Sequence, residues 1–362
     1  MLSIPFYDPK KSYEENYKQG PFGAFADGEI LKNEGEPQFN FFGHKVNAPI
    51  GIAAGPLING NFMKGAFEKG FDICVYKTVR THAKKCNDWP NVLPVNIEGD
   101  LTLEKARKGL VTKKEFEEPL AITNSFGNPS FDPAVWQVDI MELMKWANER
   151  KGQVVCGMIE GTRWSENFTE QDFLNDWVLA ARLMNETGIH VIEANFSCPN
   201  EGDRVKRLLC FDTVQSCRIA EAIKKEIGNT PLVIKLPYFE NENELRTMVE
   251  KLGKIANGFS AINTIPSAVY DEKGNQALAG GEWRLRSGIC GAPIKWAGLE
   301  MVTRLKKLRE EFGYKYTIIG VGGVSTPEDF FEYRNAGADV VMSATGAMWN
   351  SYLAKEIKER LE

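Results

Sequence analysis

The sequence predicts an α/β protein folded as a (β/α)8 TIM barrel, with an N-terminal extension and an insertion after the second strand. Short apolar segments of strand length alternate with longer segments of helical spacing, which is typical of βαβ units and a parallel sheet. Eight strand–helix units remain when residues 79–131 are treated as an excursion from this alternation. Eight is also the number of units in the barrel. A doubly wound open sheet is the alternative architecture.

The predicted elements follow in chain order from the apolar and amphipathic segments. The eight predicted strands are 48–54, 72–78, 154–159, 190–195, 232–236, 259–264, 317–321 and 340–343. The predicted helices are 61–69, 169–187, 212–227, 241–256, 293–312, 326–336 and 347–361. A glycine-rich loop is expected at 271–292, between the sixth strand and its helix.

Two segments fall outside this repeat. Residues 1–45 are mixed and polar, and we predict an extension or lid there, with the barrel domain at 46–362. Residues 79–131 are rich in lysine with scattered prolines, and they contain a short apolar run at 120–123. We expect this excursion to cross the top of the barrel.

The composition excludes several classes of protein. The chain has 362 residues, of which 43% are hydrophobic and 26% charged, and its net charge is −5. This mild acidity argues against a nucleic-acid-binding surface, and no segment reaches the roughly 18 apolar residues of a membrane helix. The N-terminus lacks the pattern of a secretory signal. The seven cysteines include no C-x-x-C pair, which indicates reduced thiols, no zinc site and a cytoplasmic protein.

Polar residues and glycines follow the predicted strands at their carboxyl ends, where barrel active sites lie. Although asparagine, glycine and proline often simply end strands, their joint placement here predicts a site. The residues concerned are Lys77, Thr78, the segment Asn195-Phe-Ser-Cys-Pro-Asn200, Lys235, Asn263, Thr264, Gly322, Gly323, Thr345 and Gly346, together with Asn124-Ser-Phe-Gly-Asn-Pro129 from the excursion.

The last two strand ends predict a phosphate site. Gly320-Val-Gly-Gly323 and Thr345-Gly346 each end a strand and precede a helix. Backbone N–H groups at such positions bind phosphate, and barrels often place a phosphate there. The spacing matches neither a P-loop nor the dinucleotide fingerprint. We therefore expect a phosphorylated cofactor or substrate.

The remaining polar residues suggest a planar ligand that carries amides. Asparagine side chains can recognise an edge of alternating C=O and N–H groups, and Lys77 and Lys235 would balance a bound anion. A ring could approach the backbone closely at Gly55. Cys198 could act as a nucleophile or as a proton-transfer base. None of His44, His82 and His190 is an obvious partner for it, which favours the base.

From about residue 48 onward, the chain resembles the class 1 dihydroorotate dehydrogenases, which are soluble flavin enzymes. The segment Asn195-Phe-Ser-Cys-Pro-Asn200 is similar to that family's N-[LF]-S-C-P-N signature. The resemblance implies FMN as cofactor and oxidation of (S)-dihydroorotate to orotate in de novo pyrimidine synthesis. It also implies that Cys198 takes the proton from C5 of the substrate while C6 gives hydride to N5 of FMN.

The resemblance extends to individual binding residues. It implies substrate contacts from Lys77, Asn124, Phe126, Gly127, Asn195, Asn200, Asn263 and Thr264. It implies cofactor contacts from Ala54, Gly55, Lys77, Thr78, Asn195, Lys235, Gly291, Gly322, Gly323, Ala344 and Thr345. No metal ligands are expected.

Four residues depart from the family pattern. Asn128 and Ser130 replace an expected leucine and asparagine after the N-S-x-G turn, Ala344 replaces a glycine, and Cys290 stands where serine is frequent. The departures at Asn128 and Ser130 motivate one alternative, a related FMN barrel that acts on another cyclic amide or dihydropyrimidine. A dihydrouridine synthase and a non-enzymatic barrel are further alternatives.

The resemblance also bears on partners. It implies a homodimer, and it implies an electron acceptor that is either fumarate or NAD. The NAD route would require an iron–sulfur flavoprotein subunit, because this chain contains no ligand set for a cluster. The sequence does not decide between the two acceptors.

Overall fold

A computed structural model describes residues 2–33, 35–197 and 208–361. Its strands are β1 (Phe39–Phe41), β2 (His44–Val46), β3 (Ile50–Ile52), β4 (Ile73–Val79), β5 (Leu110–Val111), β6 (Ala121–Asn124), β7 (Val154–Ile159), β8 (Val191–Asn195), β9 (Leu232–Leu236), β10 (Gly258–Ala261), β11 (Ile265–Tyr270), β12 (Arg286–Gly291), β13 (Thr317–Val321) and β14 (Val340–Ser343). Its α-helices are α1 (Tyr13–Gln19), α2 (Gly60–Glu68), α3 (Leu103–Lys108), α4 (Pro133–Asn148), α5 (Glu170–Asn185), α6 (Thr213–Ile227), α7 (Glu242–Leu252), α8 (Lys295–Phe312), α9 (Pro327–Ala336), α10 (Thr345–Trp349) and α11 (Leu353–Lys358).

Eight parallel strands form a closed barrel in the order β3-β4-β7-β8-β9-β10-β13-β14, with β14 pairing back to β3. The predicted TIM barrel is thus confirmed, and each barrel strand corresponds to a predicted one. Every residue of β4 and β7 is buried, as expected for parallel strands covered on both faces. These strands therefore read as continuous apolar runs in the sequence.

The side chains of each strand divide between two hydrophobic layers. Ile73 and Val75 of β4 point into the barrel with Val154 of β7, whereas Cys74 and Tyr76 belong to the larger layer outside it. The hairpin of β1 and β2 contributes Phe41 and Val46 to the inner layer. It therefore packs against the interior of the barrel at the amino end of the strands.

Two helix boundaries differ from prediction because of local hydrogen bonding and packing. The predicted helix 347–361 is two short helices, and Asn350 Oδ1 accepts from Tyr352 N at the break between them. Such an Asx turn competes with helical hydrogen bonding. Helix α7 ends at Leu252 instead of residue 256, and Gly253 forms its C-cap. A Cβ on Gly253 would overlap the ring of Tyr314.

A second sheet with the order β5-β11-β12-β6 lies beyond the carboxyl end of β10. It joins residues of the excursion after β4 to the segment after β10. The predicted loop at 271–292 was wrong in part, because β12 occupies its last third. Its glycines permit close packing in a strand, since a Cβ at Gly288 would overlap Thr264 and one at Gly291 would overlap the Leu120 carbonyl.

The N-terminal segment is part of the buried core. Phe6, Tyr7 and Phe25 are buried, and the rings of Phe6 and Phe25 stack at 4.2 Å between centroids. The backbone N–H of Phe6 donates to the Met348 carbonyl at 3.0 Å. The segment is therefore anchored beside the last strand–helix unit. Across the described ranges, no helix is both long enough and apolar enough to cross a membrane.

Candidate active site

A cavity opens at the carboxyl ends of the barrel strands. Among the predicted site residues, those on its wall are Ala54, Gly55, Asn124, Phe126, Lys235, Asn263, Thr264, Ala344 and Thr345. The strand ends thus bring together residues that are up to 291 positions apart in the chain, from Ala54 to Thr345.

The other predicted residues that the structure describes lie outside the lining of this cavity. Thr78 faces the barrel interior, where its Oγ1 lies 3.0 Å from Met158 Sδ. Gly127 packs against Asn87, which also donates its backbone N–H to the Phe126 carbonyl at 3.0 Å. The remaining members, which do not line the cavity, are Lys77, Asn195, Gly291, Gly322 and Gly323. Cys198 and Asn200 lie outside the described residues.

Lys235 is one charged residue on the wall, and it belongs to a buried polar chain. Its Nζ donates to Ser260 Oγ at 3.1 Å, and Ser260 hydrogen-bonds Glu193. Burial lowers the pKa of Lys235, and the negative charge of Glu193 opposes that shift. Burial likewise raises the pKa of Glu193, and Lys235 opposes that shift. Each of these two groups therefore favours the charged form of the other.

The predicted asparagines of β8 and β10 are linked through one serine. Asn195 Oδ1 accepts from Ser197 N at 3.3 Å and from Ser197 Oγ at 3.2 Å. Asn263 Nδ2 donates to Ser197 Oγ at 3.0 Å and to the Ser197 carbonyl at 3.1 Å. The amides that end β8 and follow β10, two strands separated by β9 in the barrel, are therefore held in fixed orientations at the start of the N-F-S-C-P-N segment.

Two aromatic side chains, Tyr7 and Phe126, also form part of the cavity wall. Phe126 lies beneath the Lys77 ammonium, with Nζ 5.2 Å from the ring centroid, a cation–π distance. Tyr7 packs edge-on against Phe126 at 5.7 Å between centroids and also lines the cavity. Tyr7 was missed by sequence reasoning. The clustering of aromatic residues in the otherwise polar segment 1–45 was the available signal.

Arg284 is another residue that the sequence analysis missed, and it holds the excursion in place. Its buried guanidinium donates to the carbonyls of Asp88 and Pro90 at 2.8 and 3.0 Å. It also contacts Ser125 Oγ at 3.3 Å, next to Asn124. A single arginine in a glycine-rich segment carries no sequence signal for this role.

Several positions on the cavity side accept no side chain, which fits a flat, phosphorylated ligand. Gly55 has φ 145°, and a Cβ placed there would meet no protein atom within 4 Å. Gly322 and Gly323 have φ values of 127° and 71°, and a Cβ on Gly323 would lie 2.7 Å from Lys295 Cβ. Only glycine adopts these conformations without strain. At Gly55 the backbone therefore borders open space on the cavity wall.

Two cysteines lie near the cavity, and both are poor bases. Burial raises the pKa of Cys290 to about 11 and that of Cys86 to about 12. At neutral pH both remain thiols. The described ranges contain no cluster of three or more His, Cys, Asp or Glu side chains arranged to hold a metal ion.

A family model described as dihydroorotate dehydrogenase matches residues 101–362. The dihydroorotate dehydrogenase of Dictyostelium discoideum is 33% identical over 368 residues, covering 98% of this chain and 96% of that protein. The chain belongs to the dihydroorotate dehydrogenase family. The resemblance stated from the sequence is thereby confirmed, and the family is flavin-dependent.

Other relatives within the dihydroorotate dehydrogenase family bear the name of an NAD(+)-type catalytic subunit. The protein of Thermodesulfovibrio yellowstonii is 26% identical and covers 76% of this chain and 84% of its own length. That of Anoxybacillus flavithermus is 28% identical and covers 71% and 74%, respectively. Both matches are shorter than the Dictyostelium match.

Proposed function

We propose that this protein oxidises (S)-dihydroorotate to orotate with FMN, as a step of de novo pyrimidine synthesis. The observation that carries the proposal is the cavity of a family member in which Asn124, Asn263 and Thr264 share one wall with Lys235. Dihydroorotate is a cyclic amide with alternating C=O and N–H groups and a carboxylate. The amide and hydroxyl groups of the wall are complementary to such an edge.

The residues around the cavity fit FMN. The open space at Gly55 suits a ring system, Lys235 offers a positive charge, and the glycine turn at Gly322 and Gly323 suits a phosphate with Thr345. When bound, FMN would supply the acceptor for a hydride. Gly291, Ala54, Ala344, Thr78, Lys77 and Asn195 complete the proposed cofactor set from the family resemblance.

One buried hydroxyl on the cavity wall is available to hydrogen-bond a substrate. Thr264 Oγ1 is buried and has no hydrogen-bond partner among the described residues, and such groups are rarely left unpaired. A ligand amide in the cavity would satisfy it. Lys77, Asn124, Phe126, Gly127, Asn195, Asn200 and Asn263 are the other proposed substrate contacts.

Cys198 is proposed as the base that removes the proton from C5. It directly follows Ser197, whose backbone and side chain are held by Asn195 and Asn263. The two cysteines near the described cavity wall are kept protonated by burial, which leaves Cys198 as the cysteine proposed for this role.

The decisive experiment is an anaerobic absorption spectrum of the purified protein before and after addition of dihydroorotate. A yellow protein that bleaches near 450 nm, roughly where any oxidised flavin absorbs, would support the cofactor and the substrate together. A yellow protein that bleaches only with dihydrouracil or another dihydropyrimidine would favour the alternative substrate that Asn128 and Ser130 suggest. A purified protein without flavin would overturn the proposal.

We further propose a cytoplasmic homodimer, supported by the reduced cysteines and by the family resemblance. Light scattering on the purified protein tests the dimer. Turnover with fumarate, compared with turnover with NAD and an added iron–sulfur flavoprotein, tests the acceptor. Reoxidation by fumarate alone would remove the need for that partner.

A further inference from the structure

A buried ion pair lies at the carboxyl ends of β4 and β7, in contact with Asn195 of the proposed substrate site. Arg80 Nη2 lies 2.6 Å from Glu160 Oε1, and the two side chains are 0% and 2% exposed. Arg80 follows the last residue of β4, and Glu160 follows the last residue of β7. Burying two charges is costly unless they are also hydrogen-bonded. The partners of this pair are therefore informative.

The carboxylate of Glu160 holds two asparagine amides. Its Oε2 accepts from Asn195 Nδ2 at 2.8 Å and from Asn128 Nδ2 at 2.6 Å. Asn195 is a proposed contact of substrate and cofactor, and Asn128 lies in the turn that begins at Asn124. One carboxylate oxygen thus ties a strand end of the barrel to the substrate turn.

Arg80 holds the same turn from its backbone. Its Nε donates to the Asn128 carbonyl at 3.1 Å, and its own N–H donates to Ser130 Oγ at 3.0 Å. The guanidinium also bonds Thr162 Oγ1. Asn128 has φ 48°, a left-handed conformation that non-glycine residues rarely adopt. Glu160 and Arg80 together stabilise that conformation from its side chain and its carbonyl.

The pair also fixes which way the Asn195 amide points. Its Nδ2 faces the Glu160 carboxylate, and its Oδ1 accepts from Ser197. An anion accepts hydrogen bonds and cannot donate them, so the reversed amide would place Oδ1 against the carboxylate. The orientation of Asn195 is therefore set by charge and does not depend on the ligand.

We propose that Arg80 and Glu160 are positioning residues that set the shape and the charge of the substrate site. This inference rests on the proposed function. Glu160 orients Asn195 and the 124–128 turn. Arg80 cancels the charge of Glu160, so that an anionic substrate is not repelled. Asn128 and Ser130, the two departures from the family pattern, are the residues through which the pair acts on the turn.

The test is the affinity of the flavin-loaded protein for orotate, measured from the change in the flavin spectrum on binding. Arg80→Gln removes the guanidinium charge beside the Glu160 carboxylate, and we expect its Kd for orotate to rise at least about tenfold. The KM for dihydroorotate should rise similarly, while kcat falls less. In Arg80→Gln/Glu160→Gln the carboxylate charge is gone as well, and part of the lost affinity should return.

Asp72→Asn is the matched control, because it disrupts another buried ion pair. Asp72 pairs with Lys358 at 2.8 Å, and it precedes β4 at the opposite end from Arg80. We expect it to lower thermal stability and leave the Kd for orotate within about twofold. If Arg80→Gln loses its flavin, Arg80→Lys is measured instead, since it keeps the charge but loses the fork of donors. Arg80→Lys should then bind orotate several-fold more weakly than the wild type.

The outcomes separate the two proposals. If flavin-loaded Arg80→Gln binds orotate with wild-type affinity, the positioning role is overturned and the proposed function still stands. The same conclusion applies to Arg80→Lys where Arg80→Gln loses its flavin. If Asp72→Asn weakens orotate binding as much as Arg80→Gln does, the effect reflects general stability. That result would also overturn the positioning role. A wild-type protein that neither binds orotate nor is reduced by dihydroorotate would overturn both the proposed function and the inference.

Discussion

Lys235 Nζ lies 3.1 Å from Ser260 Oγ at the wall of the cavity, and Ser260 connects it to the buried carboxyl of Glu193. The lysine lines the cavity, and the glutamate does not. Burial opposes the charge of each group, and each offsets the effect on the other. A substitution that removes the charge of Glu193 should therefore alter the charge of Lys235, and through it the electrostatic environment of the flavin.

We predict that Glu193→Gln lowers the pKa of Lys235, because burial still opposes its charge and the compensating carboxylate is gone. The flavin midpoint potential should then change with pH in a range about 1–3 units lower than in the wild type. Redox titration of the flavin at a series of pH values measures this. Identical pH dependence in the two proteins would contradict the link.

Gly55 provides a test of the cofactor position. We expect Gly55→Ala to weaken FMN binding by about tenfold or more, because the added methyl meets no protein atom but enters space at the cavity wall. Flavin content and Kd for FMN are the measurements. Gly313→Ala is the matched control, since Gly313 also has a positive φ, 67°, and no atom within 4 Å, and ends α8. It should lose stability alone, by about 1 kcal/mol.

The proposed base should be visible in the pH dependence of flavin reduction. The rate with dihydroorotate should rise with pH toward the pKa of a thiol, about 8.5. Cys198→Ala should lower that rate by roughly 10²–10⁴-fold, and Cys290→Ala by far less, because burial keeps Cys290 protonated. Stopped-flow absorbance measures both. Unchanged reduction by Cys198→Ala across about pH 6–9, a range that includes the thiol pKa of about 8.5, would refute the assignment.

A pH effect on stability is expected at the other end of the barrel. Burial, with a contribution from His44, lowers the pKa of His190 from 6.5 to about 4. The unfolded chain then binds more protons between these values, so stability contributed by neutral His190 is lost as pH falls from about 6.5 to about 4. His190→Asn should flatten this part of the unfolding curve.

The control for that experiment is already in the protein. Burial raises the pKa of Asp72 from 3.8 to about 6. Between these values the contribution of Asp72 to stability falls as pH rises, which partly masks the opposite pH dependence of His190. The difference between the wild type and His190→Asn isolates the histidine, because Asp72 is present in both. Chemical denaturation from pH 4 to 7, spanning the range between the shifted and ordinary histidine pKa values of about 4 and 6.5, measures it. Parallel curves would show that His190 does not contribute.

The sequence predicted the barrel well because its strands are buried on both faces and read as plain apolar runs. It also placed nine of the nineteen residues that line the cavity, since strand ends converge in this fold. It missed β12, whose glycines at 288 and 291 resemble a loop and are needed for close packing. It missed Arg80 and Glu160 because a buried ion pair between residues 80 positions apart leaves no local pattern.

The small sheet has a consequence for how the substrate turn tolerates change. Asn124 pairs with Gly288 in the antiparallel register of β6 and β12. The position of Asn124 therefore depends on the strand register between two segments that are far apart in the chain. A one-residue deletion in either segment would slip that register and turn alternate side chains to the opposite face. Asn124 would then leave the cavity while the barrel stayed intact. Length changes between residues 94 and 124 or between 265 and 291 are therefore coupled to ligand recognition.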